Sequence, residues 1–417
     1  MAPNELWLTP FADAPVDGNV AVPGSKSEGN RALLLAALSD GPSTIEGLSV
    51  SRDTSLMAGA MRAFGAVVDG SHVSPPDQFR GGADIDCGLA GTVMRFVPPL
   101  AMLADGPTRF RGDTRASDRP LTPLLQALRA LGADITAERV PFTLTPPRTW
   151  SNTSIVIDSS ESSQFVSGLL LAGARFPRGL DLRHRGGALP SRPHIDMTIA
   201  MLAAHGVTVD QPEPDHWVVA PGALRAVDAV VEPDLTNAAA FLLAGVLTGG
   251  RSAVAHWPQS TTQPGALISS IIEGFGGWTH RDGDTMTAGA SGPLTGCEID
   301  LRTASELTPV VAALAAVSDG SSRLTGIGHI RGHETDRLAA IHDALQAVGV
   351  PSEVDEDGLT IEGGQARHGG VIDSADDHRM VHLGALLGLV TPGVQVVRPQ
   401  AVAKTMPDFI ERWESLV

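Results

Sequence analysis

A single pattern recurs six times along this chain of 417 residues, at intervals of about 70 residues. Each copy begins with small or polar residues and continues with an Ala/Leu-rich run of helical length that ends at glycine, a residue suited to a helix C-terminus. The six runs span 30–41, 92–106, 164–179, 237–250, 306–320 and 378–393. This repetition predicts six similar structural units.

A short β-branched strand and a second amphipathic helix follow each run. Ser43-Thr44-Ile45-Glu46 is one such strand. In five copies the second helix ends at another glycine, namely Gly65, Gly132, Gly206, Gly276 and Gly349. The alternation of strands and helices predicts an α/β fold built from βαβαββ-type units.

A solenoid is the alternative arrangement for such a repeat. Solenoid repeats are usually about 20–45 residues long, and each copy here holds enough elements for a compact subdomain. A chain of 417 residues also exceeds the size at which one hydrophobic core keeps growing. We therefore expect two domains with three copies each.

The composition narrows the class of protein. Apolar residues make up 42% and charged residues 18%, as in a globular chain, and no apolar run approaches the length of a membrane span. The formal net charge of −17 argues against binding to nucleic acid. Two cysteines, Cys87 and Cys297, are too few for a disulfide framework, and the first residues do not resemble a secretory signal. We expect a cytoplasmic monomer that does not bind a membrane.

Only two of the 30 basic residues are lysines, Lys26 and Lys404, and each lies in a short polar cluster beside small residues. Lysine is a compact point charge whose pKa falls on burial, so it binds an anion and also exchanges a proton. A chance position on the surface is the alternative interpretation. The contrast with arginine elsewhere favours a functional role for both lysines.

Polar residues precede the first helix of every copy. They include Ser25-Lys26-Ser27, Gly91-Thr92, Ser162-Ser163-Gln164, Asp234, Ser305-Glu306 and Asp377-His378-Arg379. Part of this pattern is helix capping, but helix N-termini also bind phosphate and carboxylate groups. Four cations precede the second helices, namely Arg119, Arg192, Arg337 and Lys404. If the helix starts of both domains face one cleft, the ligand carries several anionic groups.

Seven short motifs resemble those of one enzyme family, in the same order. They are Pro23-Gly24-Ser25-Lys26-Ser27 with Asn30-Arg31, Ala90-Gly91-Thr92, Asp118-Arg119-Pro120, Ser162-Ser163-Gln164-Phe165, Glu334-Thr335-Asp336-Arg337, Asp377-His378-Arg379-Met380 and Ala403-Lys404-Thr405 with Pro407-Asp408. Each motif alone is weak, but seven in register from about residue 20 to about residue 408 are specific. The chain resembles the 5-enolpyruvylshikimate-3-phosphate synthase family.

The resemblance implies a two-domain, inside-out α/β barrel with six βαβαββ-type units, three per domain, around an interdomain cleft. In that family the chain begins in one domain, builds the other and then returns. Residues 1–23 with 233–417 would form the first domain, and residues 24–232 the second.

The family's reaction joins phosphoenolpyruvate to the 5-hydroxyl of shikimate 3-phosphate through a tetrahedral intermediate and releases phosphate, in the pathway to aromatic amino acids. By resemblance, the contacts to shikimate 3-phosphate come from Lys26, Ser27, Arg31, Ser162, Ser163, Gln164, Ser191 and Glu306. Those around phosphoenolpyruvate come from Lys26, Gly91, Arg119, Gln164, Arg337, Arg379 and Lys404. No metal, nucleotide or redox cofactor is expected.

Three residues are assigned to proton transfer. Glu306 is expected to act as the base toward the 5-hydroxyl, while Glu334 and Lys26 handle protons at the methylene carbon and the leaving phosphate. The alternative for Glu306 is a carboxylate that merely stabilises a helix start. Since binding groups come from both domains, the domains are expected to close on the first substrate.

Several positions depart from the better-known pattern of the family. Glu306 stands where many members have aspartate, His194 replaces a common tyrosine, and Leu89 replaces a usual asparagine. His329 and His333 stand where asparagine and lysine are frequent. We count His333 among the substrate-binding residues and expect its contact to depend on pH.

Two other functions were weighed against this one. The sister enzymes that act on UDP-N-acetylglucosamine usually carry a cysteine in the loop before Arg119-Pro120, and the loop Gly112-Asp113-Thr114-Arg115-Ala116-Ser117-Asp118 has none. A catalytically silent phosphate-binding protein is disfavoured because the candidate acids and bases occur together.

Overall fold

The computed structural model describes residues 6–150 and 152–417. It has an α/β fold, as the repeat predicts, and its contacts divide the chain into two compact lobes. The first lobe consists of the segment that ends at Pro23 together with Glu232–Val417, and the second lobe is Gly24–Val231. Each lobe has its own hydrophobic core.

The helices alternate between two kinds. In chain order they are α1 Lys26–Leu38, α2 Arg52–Ala63, α3 Gly91–Ala101, α4 Thr122–Ala130, α5 Gln164–Gly173, α6 Pro193–Ala204, α7 Leu235–Leu247, α8 Ile268–Gly274, α9 Thr308–Val317, α10 Arg337–Ala347, α11 His378–Leu389 and α12 Phe409–Glu414. All thirteen residues of α7 are buried, whereas α2 buries one face. A helix that is apolar all round belongs in a core. The first helix of each copy therefore forms the centre of its lobe.

The strands are short, and most of them pair within their own copy. In chain order they are β1 Leu6–Leu8, β2 Asp17–Val20, β3 Ser43–Glu46, β4 Val67–Asp69, β5 His72–Ser74, β6 Asp84–Asp86, β7 Thr108–Arg111, β8 Asp134–Ile135, β9 Phe142–Thr145, β10 Ser154–Ile157, β11 Leu180–His184, β12 Val209–Glu213, β13 His216–Val219, β14 Ala229–Val230, β15 Arg251–Val254, β16 Trp278–Asp282, β17 Thr285–Gly289, β18 Glu298–Asp300, β19 Gly320–Thr325, β20 Ser352–Val354, β21 Leu359–Gly363, β22 Val371–Asp373 and β23 Gln395–Val397.

These strands form three sheets in each lobe. The second lobe has the strand orders β14-β3-β5-β4, β6-β7-β9-β8 and β10-β11-β13-β12, and the first lobe has β2-β15-β17-β16, β18-β19-β21-β20 and β22-β23-β1. In every sheet the first pair is parallel and the remaining pairs are antiparallel. The prediction of repeated βαβαββ units is confirmed.

The chain closes three of the copies with distant strands. The parallel partner of β3 is β14, at the end of the second lobe, and the parallel partner of β15 is β2, near the start of the chain. The sixth copy is completed by β1, which pairs antiparallel with β23.

The helix ends differ in part from the prediction. All five glycines after the second helices have positive φ, between 83° and 107°, which confirms them as C-terminal residues. The first helices end earlier than expected: α1 stops at Leu38 and α3 at Ala101, before Gly41 and Gly106. The residues between are extended or turning as the chain enters the next strand. No helix in the described segments is both long and apolar enough to cross a membrane.

Candidate active site

The first helices of the second lobe begin at a common end. In their opening turns, Asn30 Nδ2 of α1 donates to Thr92 Oγ1 of α3 over 2.6 Å, and Arg31 of α1 donates to Ser167 Oγ of α5 over 3.3 Å. Contacts between first turns place three helix N-termini side by side. Their free N–H groups and partial positive charge suit an anionic ligand.

Lys26 is the first residue of α1 and lies beside a buried carboxylate. Its Nζ is 3.2 Å from Oδ2 of Asp53, whose side chain is only 2% exposed. Asp53 belongs to the first turn of α2. The sequence analysis missed Asp53, because an acidic residue in a first turn is a common helix stabiliser and carries no further signal.

Arg31 is buried, and its guanidinium group donates hydrogen bonds to neutral hydroxyl and carbonyl oxygens. Its Nε donates to Thr198 Oγ1 over 2.8 Å, and its Nη1 donates to the Ser27 carbonyl over 2.8 Å. Burial lowers the pKa of Arg31 to about 9. The residue therefore holds Ser27 in place and adds a cationic charge that these partners do not neutralise.

Gly91, at the start of α3, lies against two guanidinium groups. A Cβ at Gly91 would stand 2.8 Å from Arg95 Nη1 and 3.0 Å from both terminal nitrogens of Arg119. Arg119 Nη1 donates to the Leu89 carbonyl over 2.9 Å. A side chain at Gly91 would therefore displace these two arginines.

The candidate serines lie at helix starts or tight turns. Ser162 Oγ accepts from the N–H of Gln164 over 3.3 Å, and Ser163 immediately precedes α5. Ser191 has a left-handed φ of 47°, and its carbonyl accepts from the N–H of His194 over 3.0 Å. These bonds fix the backbone and leave hydroxyl groups beside the helix N-termini.

In the first lobe Arg337 is fully buried at the start of α10. Its Nε and Nη2 donate to the two carboxylate oxygens of Asp377 over 2.7 and 3.2 Å, a bidentate pair. Its Nη1 donates to Glu306 over 3.2 Å and to His333 Nδ1 over 2.9 Å. Burial disfavours the charge, but Asp377, Glu306 and Glu334 outweigh it and raise the pKa of Arg337.

Glu306 shares one oxygen between two arginines. Its Oε2 accepts from Arg337 and also from Arg379 Nε, at 2.6 Å, and its side chain is 26% exposed. Arg379 is in the first turn of α11, and its own N–H is capped by Asp377 over 2.9 Å. The carboxylate is therefore held but accessible.

Glu334 is buried between two basic groups. Lys404 Nζ is 2.8 Å from Oε1, and His378 Nδ1 donates to Oε2 over 3.1 Å. Burial favours the neutral acid, but Lys404 and His378 outweigh it and lower the pKa of Glu334 well below its usual range. Glu334 is therefore ionised at neutral pH in this arrangement.

Glu334, Asp377 and His378 also have ligand atoms within 4.8 Å of one another, as a metal site requires. Their negative charge is already matched by Lys404 on Glu334 and by Arg337 on Asp377. A metal ion would have to displace both cations, so this cluster fits proton transfer better than metal binding.

Two of the histidines that depart from the family pattern, His329 and His333, contact residues of the first lobe. His329 Nε2 is 2.9 Å from Ser305 Oγ, and burial lowers the pKa of His329. His333 accepts from Arg337 through Nδ1, so its proton is on Nε2 when the ring is neutral. Arg192, the remaining loop cation of the sequence analysis, pairs with Asp215 over 2.6 Å.

Comparison with known proteins identifies relatives over almost the whole chain. A family model described as EPSP synthase (3-phosphoshikimate 1-carboxyvinyltransferase) matches residues 12–413. The EPSP synthase from Acinetobacter baumannii is similar with a TM-score of 0.81 and 23% identity, covering 99% of this chain and 98% of its own. The enolpyruvyl transferase NikO from Streptomyces tendae has a TM-score of 0.78 and 20% identity with the same coverage. At these identities the two structures establish the shared fold.

Proposed function

Because this chain belongs to the EPSP synthase family, we propose that its second lobe supplies anion binding and its first lobe supplies proton transfer for one reaction. The reaction transfers the enolpyruvyl group of phosphoenolpyruvate to shikimate 3-phosphate and releases phosphate, which makes the protein a transferase of aromatic amino-acid biosynthesis. The assignment of residues to steps is our own. The observation that carries it is the pair of arginines on Glu306.

Anion binding is assigned to the second lobe because of its helix N-termini and its buried cations. The two substrates together bring two phosphates and two carboxylates, and helix N-termini beside buried arginines suit such groups. We assign Lys26, Ser27, Arg31, Ser162, Ser163, Gln164 and Ser191 to shikimate 3-phosphate. We assign Lys26, Gly91, Arg119 and Gln164 to phosphoenolpyruvate.

In the first lobe we assign Arg337 and Arg379 to the carboxylate of phosphoenolpyruvate. Both arginines contact Glu306. When the substrate carboxylate binds, it replaces Glu306 as the partner of the two arginines, and Glu306 then acts as a base. Glu306 then accepts the proton of the 5-hydroxyl while the hydroxyl oxygen bonds to C2 of phosphoenolpyruvate.

Proton transfer at the methylene carbon is assigned to Glu334 with its two basic neighbours. Lys404 and His378 lower the pKa of Glu334, whereas nearby substrate anions would raise this pKa and favour the protonated carboxyl group. A proton from the Lys404, Glu334 and His378 group adds to C3 and makes C2 electrophilic. In the elimination step one methyl proton returns to this group, the C2–O bond to phosphate breaks, and Lys26 donates a proton to the departing phosphate.

Three further proposals go beyond what membership of the family establishes. We propose that His333 contacts a substrate anion through its Nε2–H, because Nδ1 accepts from Arg337 and the ring proton is therefore on Nε2. We propose a monomer, since one chain carries every assigned group. We propose a cytoplasmic location, since Cys87 and Cys297 are both free thiols. Size-exclusion chromatography with light scattering tests the monomer.

A phosphate-release assay tests the function. Purified protein with phosphoenolpyruvate and shikimate 3-phosphate is expected to release phosphate, whereas UDP-N-acetylglucosamine as the acceptor is expected to give none. Release with the UDP-sugar alone would reassign the acceptor. Binding of both substrates without any release would indicate a silent scaffold.

A further inference from the structure

Arg95, in the second turn of α3, is a buried guanidinium to which the proposed function assigns no role. It is 2% exposed. Its Nη1 donates to Gln164 Oε1 over 3.2 Å and its Nη2 to the Pro120 carbonyl over 3.0 Å. Its Nε is buried with no hydrogen-bond partner within residues 6–150 and 152–417. Both partners are neutral, although a buried charge normally contacts an opposite charge.

A second cation lies next to Arg95. The guanidinium groups of Arg95 and Arg119 both border the Cβ position of Gly91, at 2.8 and 3.0 Å. Burial and repulsion by Arg119, only partly offset by Glu161, lower the pKa of Arg95 well below its usual range. Two adjacent cations in a desolvated place are stabilised when an anion binds between or beside them.

The contacts of Arg95 also orient two groups already assigned to phosphoenolpyruvate. A guanidinium only donates, so the amide oxygen of Gln164 must face Arg95. The remaining amide group of Gln164 is then a donor, which is what an anion requires. The bond to Pro120 holds the residue that follows Arg119. A Cβ on Gly168 would stand 2.2 Å from the Arg95 carbonyl, so α3 and α5 have little freedom to shift here.

We propose that Arg95 is a positioning residue for the anionic end of phosphoenolpyruvate. It turns Gln164 toward the substrate as a donor, holds the loop of Arg119, and carries a charge that the bound anion neutralises. This inference rests on the proposed function and adds a residue to it.

The test compares Arg95→Met with Arg367→Met. Arg367 also donates only to neutral groups, Thr391 Oγ1 and the Ala316 carbonyl, and burial lowers its pKa, but these partners lie at the C-terminal ends of α11 and α9. In Arg95→Met we expect the KM for phosphoenolpyruvate to rise about 10- to 100-fold, the loss of a charge-assisted contact. The KM for shikimate 3-phosphate, to which Gln164 is also assigned, should rise less than the KM for phosphoenolpyruvate. The rise in melting temperature caused by inorganic phosphate or phosphoenolpyruvate should fall by at least about half, whereas Arg367→Met keeps it.

A second variant distinguishes the proposed positioning role of Arg95 from a purely structural role. Gln164→Glu gives Arg95 a carboxylate at hydrogen-bond distance, so the ligand-free melting temperature should rise by about 2–4 °C while phosphate stabilisation is lost. A purely structural role of Arg95 would not predict that the ligand-free melting temperature rises while the stabilisation by phosphate is lost. Ligand stabilisation in Arg95→Met equal to that in Arg367→Met, or a lower melting temperature in Gln164→Glu, would overturn the proposal. The melting experiments need no turnover, so failure of wild-type protein to release phosphate would count against the proposed function alone.

Discussion

The contact of Glu306 with Arg337 and Arg379 leads to an unusual prediction for a carboxylate that we propose to be catalytic. If the substrate carboxylate must displace Glu306 from these arginines, then Glu306→Gln should bind phosphoenolpyruvate more tightly while it turns over more slowly. A residue that only binds substrate would lose affinity when its charge is removed. The sign of the change in affinity therefore distinguishes the two roles.

The magnitude follows from the two contacts, at 2.6 and 3.2 Å, and from the 26% exposure of the Glu306 side chain. A hydrogen bond to a charged group contributes about 1.5–3 kcal/mol, and partial exposure places these contacts at the lower end. Glutamine keeps an oxygen that accepts hydrogen bonds. The substitution therefore removes about 1–2 kcal/mol of the competition between Glu306 and the substrate carboxylate for the two arginines. The Kd for phosphoenolpyruvate should fall about 5- to 30-fold. Loss of a general base should reduce kcat by about 10²- to 10⁴-fold.

Calorimetric titration of phosphoenolpyruvate without shikimate 3-phosphate measures this affinity in the absence of turnover. Glu273→Gln is the matched control, since Glu273 is an exposed residue of the same lobe that accepts a bond from Thr279. It makes the same change in net charge and should alter the Kd less than about twofold. A Kd for Glu306→Gln equal to or weaker than wild type would refute the exchange of partners. Equal losses of turnover and of shikimate 3-phosphate binding would recast Glu306 as a binding residue.

Three further changes test other parts of the structure. Lys26→Arg keeps the charge beside Asp53 but cannot give up a proton, so phosphate release should fall by about 100-fold or more, and near-normal release would remove lysine from the chemistry. His382 is fully buried, and burial lowers its pKa well below the usual range. At acid pH the unfolded chain therefore binds a proton that the folded protein does not, so the stability of the fold decreases as the pH drops below about 6.5. Denaturation of His382→Leu at pH 8 and pH 5 should therefore show about 1–2 kcal/mol less acid destabilisation than wild type, and an unchanged pH dependence would contradict this. Ala375 has a left-handed φ of 50°, so Ala375→Gly should raise the melting temperature by about 1–2 °C in calorimetry, and a decrease would show that the backbone there is not strained.

The repeated architecture could be predicted because each copy carries its own signal. A long apolar run and a glycine with positive φ recur in register, and both depend on local physics. The strands that close the copies from a distance could not be predicted. Strand β2 consists of Asp17-Gly18-Asn19-Val20, which has no alternating pattern, and its partner β15 is more than 200 residues away. Such pairing is decided by the tertiary fold.

The candidate site was predictable as a set of positions but not as a set of contacts. Polar residues at helix starts marked Lys26, Glu306 and Arg379, since capping alone does not require those residue types. Their partners were not marked, because Arg337 meets Asp377 through the packing of two helices 40 residues apart in sequence. Asp53 and Arg95 could not be predicted as residues of the site. Each occupies an ordinary position on a helix, and only burial shows that its charge matters.

The charge states of the buried arginines explain why the two lobes suit different parts of the reaction. Arg31 and Arg95 contact neutral groups and their pKa values are lowered, so we propose that an anion bound to the second lobe supplies the negative charge that their partners do not. Arg337 contacts carboxylates and its pKa is raised, so the first lobe already contains that charge. In the proposed mechanism, an anion that enters the first lobe replaces Glu306 as the partner of Arg337 and Arg379, and Glu306 then acts as the base. Anion binding and base activation would thus be one event in the first lobe, whereas in the second lobe the bound anion would only neutralise buried cations. Inorganic phosphate should accordingly stabilise the wild-type protein mainly through the second lobe, and Glu306→Gln should leave that stabilisation largely intact.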